Sequence, residues 1–492
     1  MRAGRSILAY LPVNLATVLV AFGGLAVLTR LLEPVEYGRY ALAMITMLFL
    51  HMSLFTWLEA AVARFQARAD TQGDESTYLR TIYVSAGVVG TVGVATLCAV
   101  VWHLPLDAPM RNVLLAAIVT TGMQLALNLG FEAHKAAHRI GRYSALYSTH
   151  QTLSFTLGVL VIMATPLREV GPFVGIGISA VVIGAVDLPF MLRRLRGGAV
   201  ETARLKTYFA YGMPISVSLV LAYALNSADM YIITAVMGEA AAGQYSAGYN
   251  LANRSLEVLF IWIAMAMTPL AVSAFEADGE TASVEVMRSF GATLAWIALP
   301  GAVGLMLVAE PIGFVLGEGI REGAVSVMPW IAGAAVLNGF LTYYVQRAFM
   351  LSGRTDRFAY VLVLPVVINI GLNLWLVPLM GLRGAVIATI LSYAVGAVIA
   401  VASARRLYPL PLPLRETAQV LAACGVMAGV VLALPGGVSA LPDPVEILVK
   451  AGVGASVYMA VCFTLNVAGC REVVAAMEDR LRRPEPVVEA AE

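Results

Sequence analysis

Fourteen apolar runs follow one another along this chain, at roughly 7–32, 39–63, 81–103, 112–133, 144–165, 173–192, 208–236, 245–273, 289–310, 326–350, 358–378, 384–404, 416–435 and 444–468. Each is near the ~20 residues an α-helix needs to cross a bilayer. Nothing else in the sequence constrains the fold as much. Lipid offers no hydrogen bonds, so a crossing segment of this length has to satisfy its own backbone as a helix. Composition agrees: 60% of the 492 residues are hydrophobic and 13% are charged, against about 25% charged in soluble domains. A water-facing fold could not hide that much apolar surface. The expectation is an all-α polytopic membrane protein with about fourteen transmembrane helices. The runs at 173–192, which holds Asp187 and Pro189, and at 416–435 are the least regular. Met1-Arg-Ala-Gly-Arg5 carries the charge of a signal peptide's start, but the run behind it continues to Leu32. That is too long for a signal's apolar core and reads as a first spanning helix.

The breaks between runs alternate in charge. Arg64 to Arg80, Lys135 to Arg142, Arg193 through Lys206, Arg354 with Arg357, and Arg405 through Arg415 are basic, whereas 105–109, 238–243 and 435–444 hold no Lys or Arg. With both termini in the cytoplasm, 24 of the 32 Lys and Arg fall on or beside the cytoplasmic side, seven on the far side, and Arg254 within a span. The positive-inside rule therefore predicts cytoplasmic N and C termini. An odd number of crossings would spoil the alternation. The tail, 469–492, is expected to be a solvated cytoplasmic end.

Two stretches repeat. Gly38-x-Tyr40, after the first run, and Gly243-x-Tyr245, after the seventh, occupy matching places. An even number of crossings separates the copies, so they enter the membrane in the same direction, as parallel repeats do. The expected organisation is an N-lobe at 1–196 (spans 1–6), a linker at 197–207 and a C-lobe at 208–405 (spans 7–12), with an added pair at 416–468. A cleft between two such lobes is where a substrate would sit. Prolines recur inside the runs (Pro12, Pro189, Pro214, Pro269, Pro300, Pro329, Pro365), either as static kinks that aid packing or as hinges.

Polar groups within apolar runs are expensive and face a protein interior or a watery path by default. Asn14, Gln124, Asn226 and Asn250 are candidates to meet a polar substrate, although interhelical hydrogen bonding accounts for many such amides. Arg254 is the sharpest case, because a guanidinium at that depth needs a carboxylate or an anionic ligand. Glu257, one turn on, could neutralise it; otherwise Arg254 attracts a phosphate. Asp229 and Glu59 are candidate ion-coupling sites for a proton or Na⁺, with a structural Arg partner as the alternative for Asp229.

Other motifs carry less. His134 and His138 are one turn apart beside Glu132, but a zincin needs Glu directly after the first His, where Lys135 stands. A solvated helix end is expected there and no metal site. Cys98, Cys424, Cys462 and Cys470 have no paired spacing. Gly313/Gly317 and Gly425/Gly429 have helix-packing spacing. Gly171, Gly175 and Gly177 do not form a phosphate loop, because no Lys-Ser/Thr follows. No nucleophile with a base, no paired catalytic carboxylates and no nucleic-acid-binding pattern occurs. The expectation is a protein that is not an enzyme and has no cofactor.

Leu31-Leu-Glu-Pro-Val-Glu-Tyr37-Gly38-Arg-Tyr40-Ala-Leu-Ala resembles the end of helix 1 in the polysaccharide flippases of the multidrug/oligosaccharidyl-lipid/polysaccharide exporter superfamily. Ser227-Ala-Asp229-Met-Tyr-Ile-Ile, Ala242-Gly243-Gln-Tyr245-Ser-Ala-Gly, Leu351-Ser-Gly353-Arg-Thr-Asp, Asn369 to Asn373 and Pro378 to Gly384 are similar too, spreading the resemblance over about 7–405. It implies two lobes around a central cavity in the inner (cytoplasmic) membrane. The implied substrate is a lipid-linked oligosaccharide, carried from the cytoplasmic to the outer leaflet, with polysaccharide assembly machinery as a partner. Cavity cations in the family are thought to meet the lipid diphosphate and sugars, and Arg254, Arg30 and Arg64 are the candidates here. A cation-coupled drug exporter of the same superfamily and a peptidoglycan-precursor flippase are transporter alternatives. A membrane glycan polymerase or ligase would need a large outer loop, and the longest non-cytoplasmic break is under twenty residues.

Overall fold

The computed structural model describes residues 2–471, and no β-strand occurs among them. In chain order the main helices are α1 (Arg2–Leu31), α2 (Pro34–Leu54), α3 (Thr56–Gln72), α4 (Glu75–His103), α5 (Ala108–Ala136), α6 (Ile140–Ala164) and α7 (Gly171–Leu195). They continue as α8 (Ala203–Met237), α9 (Glu239–Leu307), α10 (Glu318–Leu351), α11 (Thr355–Met380), α12 (Leu382–Ala404), α13 (Leu414–Leu432) and α14 (Asp443–Thr464). Eleven described helical segments are long and apolar enough to cross a membrane. α2 and α3 form a further span, bent by 50°. α9 is 69 residues long, but Gly279 at φ 81° breaks it in two, and 239–278 and 280–307 are each longer than one crossing. α6, at 25 residues, also has the length, diluted by His150 and Gln151. All fourteen runs of the sequence fall mostly within these helices, including the two irregular ones.

Local chemistry sets several ends. α2 starts with Pro34 in its first turn behind a capping box, in which the Glu33 backbone N–H donates to Glu36 Oε2 at 2.9 Å. Proline suits that position because its missing N–H would be unpaired there anyway. At the α2–α3 bend, Trp57 Nε1 donates to the Leu54 carbonyl at 2.9 Å, satisfying a group the bend would strand. The seven in-run prolines all lie inside helices.

By contacts the chain forms two compact units. The first comprises Met1–Leu251, Val315–Ala324 and Phe358–Ser392; the second comprises Ala252–Phe314, Val325–Arg357 and Tyr393–Glu492. These group residues by contact, whereas the lobes expected above group them by duplication.

Within the first unit, glycines bring helices together. A Cβ at Gly175 would overlap the Gly158 backbone, and one at Gly158 would lie 3.0 Å from Pro172 Cα. The glycines of α7 thus serve its contact with α6. A core of Phe55, Leu58, Leu79, Ile82 and Leu129 joins α3, α4 and α5. The segment 197–207 is stapled to the start of α4: Arg80 Nη1 donates to the Gly198 carbonyl at 2.8 Å, and Arg204 Nη1 pairs with Asp74 at 2.6 Å.

Within the second unit, α13 and α14 pair through Val420, Cys424, Met427, Tyr458 and Cys462, and Tyr458 Oη donates to the Trp296 carbonyl at 2.8 Å. Gly425 and Gly429 meet nothing within 4 Å, so their spacing is not used for packing among the described residues. Gly317, in the first unit, does pack tightly, against the Thr29 backbone. One feature had no sequence signal. α10 widens into a π-helical turn at Phe340–Val345, next to Gly339, whose missing side chain makes room for the Phe260 ring. Such turns occur where a neighbour intrudes on the helical ladder and are frequent at functional sites.

Candidate functional site

Three clusters of buried polar side chains in the first unit bear on the candidate residues. The first lies on α8 and the start of α9. Asp229, 2% exposed, accepts hydrogen bonds from Tyr245 Oη, from the Met230 backbone N–H at 2.9 Å and from Thr389 Oγ1 at 3.5 Å. One turn earlier on α8, Asn226 Oδ1 accepts from Tyr249 Oη at 3.3 Å. The rungs Asp229–Tyr245 and Asn226–Tyr249 make a polar ladder between the two helices. Asn250, beside it in sequence, turns back on its own helix, donating to Ser246 O at 2.8 Å and Ser246 Oγ at 3.2 Å.

The second cluster sits at the α2–α3 bend. His51 Nε2 and Glu59 Oε1 are 3.0 Å apart, each side chain under a fifth exposed, so the pair bridges the break in that span. Gln124 Nε2 lies 3.3 Å from His150 Nε2, and His150 Nδ1 is 2.9 Å from Ser179 Oγ.

The third cluster overturns one expectation. His134 is fully buried rather than a solvated helix end; its Nε2 lies 2.9 Å from Asp187 Oδ2, while Arg142 Nη2 pairs with Asp187 Oδ1 at 2.6 Å. The physical reason is Asp187. A carboxylate inside α7 needs counter-charge and donors, and the ends of α5 and α6 supply them. Phe190, one turn further along α7, stacks under Arg139 and Arg142 at 4.8 and 4.2 Å. His138 itself is exposed, with φ 56°, and Glu132 bonds Lys135 at 2.5 Å. No group of three or more metal-ligating side chains occurs among the described residues.

The remaining candidates are less enclosed. Asn14, Arg30, Arg64 and Arg254 are exposed, and Arg64 lies over the Tyr211 ring at 6.0 Å. In the second unit, Glu257 Oε1 accepts from Tyr343 Oη, on the π-helical turn, at 3.4 Å. Next along α10 is Arg347, half-buried, whose Nε has no hydrogen-bond partner. The structure therefore gathers Asn226 and Asp229 on one ladder and gives Glu59 and Gln124 partners of their own. It does not place all the predicted residues in one constellation. Among the half-buried groups that sequence reading passed over, Arg39 lies at a helix start, His51 beside a bend and Arg347 after the π-helical turn.

The chain resembles known proteins in three ways. It matches the family described as polysaccharide biosynthesis protein over residues 27–322. It is 30% identical over 175 residues to the probable flippase AglR of Haloferax volcanii, covering 35% of this chain and 36% of that protein. The matched stretch thus spans about a third of that relative's length. Among solved structures, the lipid II flippase MurJ in an inward closed conformation superposes with a TM-score of 0.73, at 11% identity over 95% of this chain and 100% of the other. An inward-facing multidrug resistance MATE family transporter of the MOP superfamily follows, with a TM-score of 0.67 at 14% identity, covering 81% of this chain and 97% of that one. At those identities the superpositions establish the fold, that of a multi-pass helical membrane protein. Taken with the family match over residues 27–322 of 492, they make the chain a member of the polysaccharide biosynthesis protein family, and the resemblance to its flippases read from the sequence holds.

Proposed function

We propose that the protein flips polyprenyl-diphosphate-linked oligosaccharide from the cytoplasmic to the outer leaflet for surface polysaccharide synthesis. The observation that carries this reading is the family match over 27–322. Two lobes, 1–196 and 208–405, would face each other across the substrate path. The fold is shared by the lipid II flippase MurJ and a MATE transporter, and the match to the polysaccharide biosynthesis family favours the flippase. The protein would lie in the inner membrane with both termini cytoplasmic, as the charge bias of its breaks suggests. A glycan diphosphate carries many hydroxyls and about two charges. At ~2–7 kcal/mol per unsatisfied hydroxyl, an unaided crossing costs tens of kcal/mol. A hydrated path removes most of that barrier while the prenyl tail stays in lipid, and no covalent chemistry is required. Arg254, with Arg30 and Arg64, would meet the diphosphate; Asn14, Asn226, Asn250 and Gln124 would meet sugar hydroxyls. Asp229 and Glu59 are the groups proposed to couple a proton or Na⁺, and polysaccharide assembly enzymes are the proposed partners outside.

The test is reconstitution of the full chain in vesicles with a fluorescent lipid-linked oligosaccharide, scored by glycosidase access from the opposite face. Protein-dependent access is expected. Arg254→Ala is expected to slow it about tenfold, roughly the strength of one charge-assisted contact, and Arg254→Lys less, with neither lowering the protein level. Full flipping by Arg254→Ala removes that residue from the path. In cells, a deletion that abolishes drug resistance while surface glycan persists favours the exporter instead.

A further inference from the structure

In the first unit, Arg39 is 17% exposed among three carboxylates from three different connectors. Its Nη2 donates to Asp107 Oδ2 at 2.8 Å, Nη1 lies 3.6 Å from Glu169 Oε1, and Nε lies 3.6 Å from Glu239 Oε1. Asp107 and Glu169 belong, like Arg39, to the first half of the duplication (1–196); Glu239 opens α9, in its second half (208–405). The hydrogen-bonded partner is thus from the same half. The partner from the other half is held by charge alone, and Nε has no hydrogen bond among the described residues.

The surrounding contacts divide in the same way. The α1–α2 corner is fixed within the first half by Arg168, whose guanidinium donates to both Glu36 oxygens at 2.9 Å and to the Leu31 carbonyl at 2.8 Å. Against that corner, the second half brings mostly bare backbone. A Cβ at Gly38 would overlap the Glu239 carbonyl, and one at Gly243 would lie 3.0 Å from Gly38 N. Gly317 meets the end of α1 with one hydrogen bond, its N–H to Thr29 Oγ1 at 3.2 Å. The two copies of the repeated Gly-x-Tyr motif therefore touch each other, glycine to glycine. This seam is close enough to exclude a polar headgroup, and what meets across it at Gly38 and Gly243 is backbone.

We propose that this seam is the outer gate of the transport path and that Arg39 is its latch, handing its charge from Glu239 to Asp107 and Glu169 as α2 and α9 part. Removing one partner of a buried ion pair is expensive because the other charge is left unpaired. Two resident carboxylates spare Arg39 that cost, so the gate opens without stranding its charge. The inference rests on the transport reading above for the word gate, and its test has an arm that needs no substrate.

Cysteines are placed as Arg39→Cys and Glu239→Cys in a Cys98→Ser background of the full-length protein and joined by a short reducible thiol crosslinker. The crosslinked protein is expected to lose flipping in vesicles and to regain it on reduction. Failure of the two to crosslink, although each alone reacts with maleimide, overturns the geometry, and undiminished flipping while crosslinked overturns the gate. Separately, with no substrate present, Glu239→Gln is expected to raise the rate at which a membrane-impermeant maleimide labels Gln244→Cys from outside by about two- to fivefold, the size of one rim ion pair. An unchanged labelling rate overturns the latch whatever the protein transports.

Discussion

Asp187→Ala is expected to destabilise the folded protein by about 3 kcal/mol, the lower end of the cost of breaking a buried ion pair from one side. The carboxylate, 6% exposed, is shared by His134 and Arg142, which come from α5 and α6, so one side chain of α7 joins three helices. His134 Nδ1 is already without a hydrogen-bond partner. Removing the carboxylate leaves both ring nitrogens unpaired in a fully buried residue. Arg142, at 36% exposure, can turn toward water, which keeps the estimate at the lower end. Space is matched as closely as charge: a Cβ at Gly130 would lie 3.2 Å from Asp187 Oδ2. Asp187→Asn keeps one acceptor and the volume, and is expected to cost about 1–2 kcal/mol. Thermal unfolding in detergent, followed by fluorescence-detected size exclusion, orders the variants as wild type, Asn, Ala. In the double variant Asp187→Asn/Arg142→Gln the loss should be smaller than the sum of the two, since no charge is left stranded. An Ala variant as stable as wild type would mean that the cluster does not hold these helices.

The same cluster marks where the sequence stopped being informative. Apolar runs of crossing length are a one-dimensional signal, because lipid leaves the backbone a single solution. Even the doubtful runs with Asp187 and at 416–435 became helices for that reason. The bend at Phe55 and the break at Gly279 fall inside or between runs without changing their number. Side-chain partnership is a different kind of fact. His134 looked solvated because Lys135 and Arg139 follow it, and only the arrival of α7 shows that it is buried. Arg39 has no role legible in the sequence, because its carboxylates come from loops about 70, 130 and 200 residues away. The Gly38 and Gly243 repeat was legible as a duplication, but that its two copies meet was not, since symmetry in sequence does not say which copies touch. Gly425 and Gly429 show the reverse, a packing spacing with nothing packed against it among the described residues.

Asp229→Asn is expected to leave the protein in the membrane at its normal level while removing most of its driven transport. The carboxylate is buried inside a spanning helix, and its partners are a tyrosine hydroxyl, a backbone N–H and a threonine hydroxyl. The Arg partner offered as the structural alternative is not there: among the described residues no cation pairs with it. An isolated charge at that depth is expensive, so the group either holds a proton or hosts a cation during the cycle. Asparagine keeps the shape and can still accept from Tyr245 and Met230, which is why the fold should tolerate it. It can bind neither a proton nor, with comparable strength, a metal cation. If one charge moves per cycle, about 2.3 kcal/mol per 100 mV is forfeited, about fiftyfold in the substrate gradient the protein can sustain. Vesicles given an imposed proton gradient or an imposed Na⁺ gradient distinguish the two ions, because only the coupled one should stimulate wild type and neither should stimulate Asp229→Asn. Gradient-stimulated flipping by the Asn variant equal to wild type would leave Asp229 as a hydrogen-bonding strut between α8 and α9 and shift the coupling role to Glu59 and His51.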